Sequence, residues 1–191
     1  MAEHWQPLLA NFAIVALFIS VWVNSQVLVS RLPRFWRHAV LGLTMGVGSV
    51  VSMQLGIMID GALFDLRLTL ITIAGFFGGP LAASIAVLLS ALYRIALVGG
   101  MATPVALTSI VLAGVFGVAI AMPARYRMFV GPLLLAVAVA IISGGTGLLV
   151  SRIMGHDYSL LSVAVALTNA TATAIAAMYI LQHRIVERER R

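Results

Sequence analysis

Apolar residues run almost unbroken along this chain over 8–30, 39–59, 68–98, 102–122, 128–150 and 159–181, separated by short polar joints. Each run approaches or exceeds the roughly 20 residues an α-helix needs to cross a bilayer, so the pattern predicts an all-α, polytopic bundle of membrane helices. The third run is unusually long, and its middle reads "GFFGGPLAAS", with Gly78, Gly79 and Pro80 in succession. Glycine admits positive φ, while proline removes a donor and disfavours helix in the residue before it, so the triplet is a candidate corner. Two readings are open: one long tilted helix, or a hairpin of short helices over 67–77 and 80–97.

The arginines favour the hairpin, because cytoplasmic loops carry an excess of basic residues. Six crossings with a cytoplasmic C-terminus divide the arginines seven inside to five outside, which is hardly a bias. A hairpin gives about seven crossings and an external N-terminus. Arg31, Arg34, Arg37, Arg125, Arg127, Arg184, Arg188, Arg190 and Arg191 then lie inside, nine against the three of Arg67, Arg94 and Arg152. The hairpin also has a chemical consequence. In one straight helix Arg67 and Arg94 stand roughly 40 Å apart, whereas a fold-back brings both to one depth. Two guanidinium groups in a low-dielectric cleft repel each other unless an anion joins them, and a planar fork grips a carboxylate bidentately. A simpler reading stays open, in which Asp60, Asp65 and Asp157 neutralise the arginines, or the arginines snorkel to the interface, with no ligand involved.

Composition narrows the class. Of 191 residues 62% are hydrophobic and 9% charged, and the mean hydropathy is +1.09, which implies one membrane domain in contact with lipid, 1–182, with 183–191 leading out of it. Every basic side chain among the 12 Lys and Arg is arginine, which excludes lysine Schiff bases and a P-loop lysine. No cysteine is present, so disulfides and thiolate metal sites are excluded too. The pI near 11.1 does not indicate nucleic acid, because the arginines are scattered singly between apolar runs. The six acids and four histidines form no metal-ligand spacing, so neither metal, cofactor nor enzymatic activity is expected. The start, "MAEHWQP", lacks the basic region of a signal peptide, and the first run is expected to be a retained helix. Among polar residues within the runs, Gln54, Thr108, Ser109, Thr168, Asn169 and Thr173 stand out. Asn169 and Thr173 share a helix face, and each of the six is expected to bond a neighbouring helix or, in the sharper reading, to line a pocket.

The stretch "IDGALFDLRLTLITIAGFFGGPLAASIAVLLSALYRIALVGGMATP", residues 59–104, resembles the core of the LytS/YhcK-type multi-span receptor domain of bacterial sensor histidine kinases and diguanylate cyclases. The shared pattern is Asp60, Arg67, the corner Gly78, Gly79, Pro80, then Arg94 and the pair Gly99 and Gly100. Asn169 in the last span also fits, and the likeness extends loosely over residues 8–182. Two departures stand out. The gap between Arg94 and the glycine pair is one residue longer than usual, and "AVAVAIISGG" lacks the acidic or amide side chains sometimes seen in that span. The arrangement is also similar to the substrate-binding S subunits of energy-coupling-factor vitamin transporters.

The resemblance implies a sensory input domain in the bacterial inner membrane that binds a small extracytoplasmic carboxylate such as pyruvate. Arg67 and Arg94 would clamp the carboxylate, and Ser109, Thr108 and Asn169 would add neutral hydrogen bonds. The tail "QHRIVERERR", with Glu187 and Arg191 four residues apart, would begin a cytoplasmic signalling helix towards an output domain outside this chain, and a homodimer is expected through that region. The alternatives are a vitamin-type transport subunit and a membrane anchor without ligand.

Overall fold

The structure, a computed structural model, describes residues 5–59, 62–121, 130–155 and 157–189. Asp60, Arg125, Arg127, Arg190 and Arg191, with the side chains of Glu187 and Arg188, lie outside the described residues, and with them the Glu187–Arg191 pair and part of the arginine comparison. Helices α1 (Trp5–Val29) and α2 (Arg34–Gln54) are followed by strands β1 (Ile57–Ile59) and β2 (Ala62–Phe64). Helix α3 (Arg67–Tyr93) runs into a π-helical turn (Arg94–Val98), and α4 (Thr103–Ala121), α5 (Gly131–Met154) and α6 (Ser159–Glu189) complete the bundle.

The all-α expectation holds for the bundle, to which two short strands are added. They pair antiparallel, Ile57 with Phe64 and Met58 with Leu63, in a short hairpin between α2 and α3. The signal was present in the sequence: Asp60-Gly61, a common hairpin dipeptide, sits between two short apolar runs.

Helix α3 reverses on itself. Gly79 has φ 70° and ψ −162°, a backbone region open essentially to glycine alone, and Pro80 follows it. Around Gly114 of α4, Ile71 approaches from the limb before the corner while Ala83 and Val87 approach from the limb after it. A straight helix would hold Ile71 and Val87 about 24 Å apart. Against α2, Leu70 lies at Gly48, whereas Ala82 lies at Gly42 and Leu89 at Gly46, so α2 runs antiparallel to the first limb and parallel to the second. Contact at Gly42 is backbone to backbone: a methyl group there would stand 2.7 Å from the carbonyl oxygen of Ala82. The hydroxyls of Ser49 and Ser90 bond directly between α2 and the second limb.

The first limb is the centre of the molecule. Every residue from Asp65 to Phe76 is buried, which matches its apolar character on all sides. The second limb is covered on one side only, with Ser84 and Leu88 exposed. Helix α1 packs on α2 and α6, and α5 packs on α4 and α6.

Among the described residues, five helical segments are long and apolar enough to cross a membrane, Leu8–Gln26, Arg67–Val98, Thr103–Ala121, Gly131–Met154 and Ser159–Val186. The expected count of seven is thereby corrected. Helix α2 falls short because Arg34, Arg37, His38 and its glycines and serines dilute its apolar face. The hairpin counts as one apolar segment because its first limb rises only about 18 Å, well under a hydrocarbon core of roughly 30 Å.

Replacing Gly79 by alanine is expected to destabilise the domain by about 1–3 kcal/mol, because the side chain is forced into that positive-φ region. Gly145→Ala, in α5 with nothing within 4 Å of a new methyl group, is expected to be neutral or stabilising by about 0.5 kcal/mol. Denaturant unfolding of the purified protein in detergent checks both.

Candidate functional site

The fold-back brings Arg67 and Arg94 to the wall of one cavity of about 40 Å³. Arg67 opens the first limb. The hydroxyl of Ser52 on α2 accepts the N–H of Leu66 at 3.2 Å, which fixes the limb's start. One Asp65 oxygen accepts the backbone N–H of Arg67 at 3.0 Å and the other accepts Nη1 at 2.7 Å, in a buried ion pair. Arg67 Nε keeps no hydrogen-bond partner among the described residues.

Arg94 begins the π-helical turn at the end of the second limb and is 1% exposed. The N–H of Gly99 reaches its carbonyl at 2.9 Å, a span of five residues where an α-turn takes four. Gly99 ends the turn at φ 59°, ψ −152°. The Arg94 guanidinium stands close enough to Arg67 for their charges to interact. Its Nε and Nη1 are buried without a partner among the described residues. The ionisable lining residues are Asp65, Arg67 and Arg94, so two positive charges and one negative leave the wall at +1.

The remaining walls are uncharged. Leu63 and Phe64 of β2 line it beside Asp65, Ala106 and Ser109 face it from α4, Ser143, Thr146 and Gly147 from α5, and Ser162 and Val165 from α6. The Ser109 hydroxyl donates to the carbonyl of Ala106 at 2.8 Å. A polar cluster supports the floor. The Asn169 amide donates to the carbonyl of Asp65 and to the Ser143 hydroxyl, each at 3.2 Å, and its oxygen accepts from Thr69 at 3.1 Å. Thr173 donates to the Asn169 carbonyl at 2.7 Å and to the Thr69 hydroxyl at 3.1 Å.

Of the expected ligand residues, the structure brings together Arg67, Arg94 and Ser109. Thr108 is off the cavity: it is exposed on the outward face of α4 beside Leu112 and bonds only the carbonyl of Pro104, 2.9 Å away in its own helix. Asn169 is likewise behind the wall, with its side chain committed to the cluster that holds Asp65 and Ser143. Asp157 is exposed and caps α6, and the backbone N–H and hydroxyl of Ser159 hold its carboxyl below the ordinary carboxylate range. Asp65 does neutralise Arg67, as the simpler reading held, and Arg94 Nε and Nη1 have no partner among the described residues. Sequence reasoning missed Ser143, Thr146, Gly147 and Ser162. The spacing of 143, 146 and 147 on one face of α5 carried that signal, although the glycine run reads first as packing.

These features define a multi-pass membrane protein whose buried basic cavity lies against a re-entrant helical hairpin. The chain belongs to the family described as 5TMR of 5TMR-LYT, LytS-type five-transmembrane receptor domains, which matches residues 21–184. It is thus a transmembrane sensory domain of signalling proteins. No curated protein and no solved structure matches the chain significantly.

Asn169→Ala is expected to cost about 2 kcal/mol, since Thr69, Ser143 and the Asp65 carbonyl each lose a buried partner. Thr108→Ala is expected to stay within about 0.5 kcal/mol of the parent. Thermal unfolding of the two variants in the same detergent checks the contrast.

Proposed function

We propose that the cavity binds one small monocarboxylate and that the domain reports its occupancy to a cytoplasmic output region. The single observation behind this is Arg94, a fully buried guanidinium with two unpartnered nitrogens facing a cavity whose wall carries one unbalanced positive charge. An uncompensated charge is costly in a low-dielectric interior, and one carboxylate cancels it while accepting the idle donors of Arg94 and Arg67 Nε. A volume near 40 Å³ fits a few non-hydrogen atoms, the scale of a two- or three-carbon acid. The alternative of a vitamin-type transport subunit fits this volume poorly, because drug-sized ligands occupy roughly 300 Å³ or more.

In this reading the ligand arrives from outside, the N-terminus is external, and α6 leads towards the cytoplasm of a bacterial inner membrane. Arg184 of α6 acts electrostatically on His38 together with Arg34 and Arg37, so basic residues gather at the end of the bundle away from the cavity, as the excess of basic residues in cytoplasmic loops leads one to expect. A histidine kinase or diguanylate cyclase output working as a homodimer is the partner that the family favours.

Arg94→Met tests the proposal, because it separates binding from stability. Without ligand the variant is expected to unfold at a higher temperature than the parent, by the equivalent of about 1 kcal/mol or more, since an unpaired buried charge is gone. Acetate, propionate, glycolate and lactate are expected to raise the unfolding temperature of the parent and to leave the variant unmoved. A parent indifferent to every acid, or a variant that responds equally, would overturn the reading.

A further inference from the structure

Hydroxyl groups in these helices have a common habit. Thr44, Thr72, Ser90, Thr146, Thr168 and Thr171 each donate to the carbonyl four residues back in the same helix. That is the default for Ser and Thr in an apolar helix, where the only ready acceptor is the backbone. Ser162 breaks the habit. It is 2% exposed, and its Oγ has no hydrogen-bond partner among the described residues, although the carbonyl of Tyr158 lies one turn back and accepts the Ser162 backbone N–H at 2.8 Å. A buried hydroxyl left unpaired is destabilising. Room for it comes from Gly147 of α5, where a methyl group would collide with the Ser162 Oγ. Both residues line the cavity that holds Arg67 and Arg94, and Ser162 is the polar residue that α6 contributes to that wall.

We infer that Ser162 is a specificity-determining residue of the site: its hydroxyl bonds a second polar atom of the bound acid, beyond the carboxylate, and so places the ligand in direct contact with α6. The inference rests on the carboxylate reading above and adds to it. The arginines neutralise the carboxylate whatever the rest of the molecule is, so they cannot tell a plain acid from a substituted one. Ser162 can, because a hydroxyl both donates and accepts, and a plain alkyl acid leaves it unsatisfied. The contact also gives the ligand a polar hold on the helix that runs from the cavity to the far end of the bundle.

Matched pairs of acids provide the test: acetate against glycolate, and propionate against lactate, titrated calorimetrically into the purified parent, Ser162→Ala and Gly147→Ala. The parent is expected to bind the hydroxylated member of each pair about tenfold more tightly. In Ser162→Ala that preference is expected to shrink to about threefold or less, with the plain acids bound as before and an unfolding temperature no lower than the parent's. Gly147→Ala, whose methyl group would overlap both the hydroxyl and the Cβ of Ser162 and so moves α6 at the cavity, is expected to lose the preference as well. A parent without preference, a preference that survives in Ser162→Ala, or an equal loss for both members of a pair would overturn the role of Ser162 while leaving the arginine clamp standing. Absence of binding by every acid to the parent would instead overturn the carboxylate reading, and this inference with it.

Discussion

The reversal at Gly79 is the constraint on which the rest of the molecule depends. It turns a separation of roughly 40 Å between Arg67 and Arg94 into a shared wall. Because the first limb is short and buried on all sides, its charged start stays inside the bundle rather than reaching the interface. The two cations then differ in circumstance. Arg67 is paired with Asp65 two residues earlier, while Arg94 shares the field of that one carboxylate and has no ion pair of its own among the described residues. A fold that tolerates this asymmetry has a stability cost that a ligand can relieve, which is the thermodynamic condition for occupancy to change the protein.

Neutral polar groups hold this arrangement in place. Thr69, Asn169, Thr173 and Ser143 join the first limb to α6 and α5 in one connected set, and nearly every donor in it is used. Such a set in an apolar surround specifies one register between helices, since a slip of a single residue would strand several groups at once. On the opposite flank Ser52, Ser49 and Ser90 do the same for α2 and the hairpin, with the Ser52 hydroxyl donating to Asn11 of α1 at 2.5 Å.

The sequence carried the corner and the two arginines plainly, because glycine and proline report backbone conformation directly and a charge in an apolar run is rare. It carried the helix faces poorly. Helix α4 is apolar nearly all round, so nothing in its pattern tells Thr108 from Ser109, and the structure puts only Ser109 in the wall of the arginine cavity. Asn169 read as a ligand residue because an amide within a span is conspicuous; its actual partners come from residues about 100 positions away and cannot be phased from spacing. The span count failed for a related reason. Hydropathy reports how greasy a segment is, and neither a half-buried α2 nor a limb that stops midway follows that rule.

At the corner, the ring of Phe77 packs edge-on against Phe76, and the Arg184 guanidinium of α6 lies 4.9 Å from its centroid. The central limb is therefore gripped at both ends, by the cavity at Arg67 and by α6 near Phe77. Helix α6 thereby meets the hairpin at Phe77, near its own last turns.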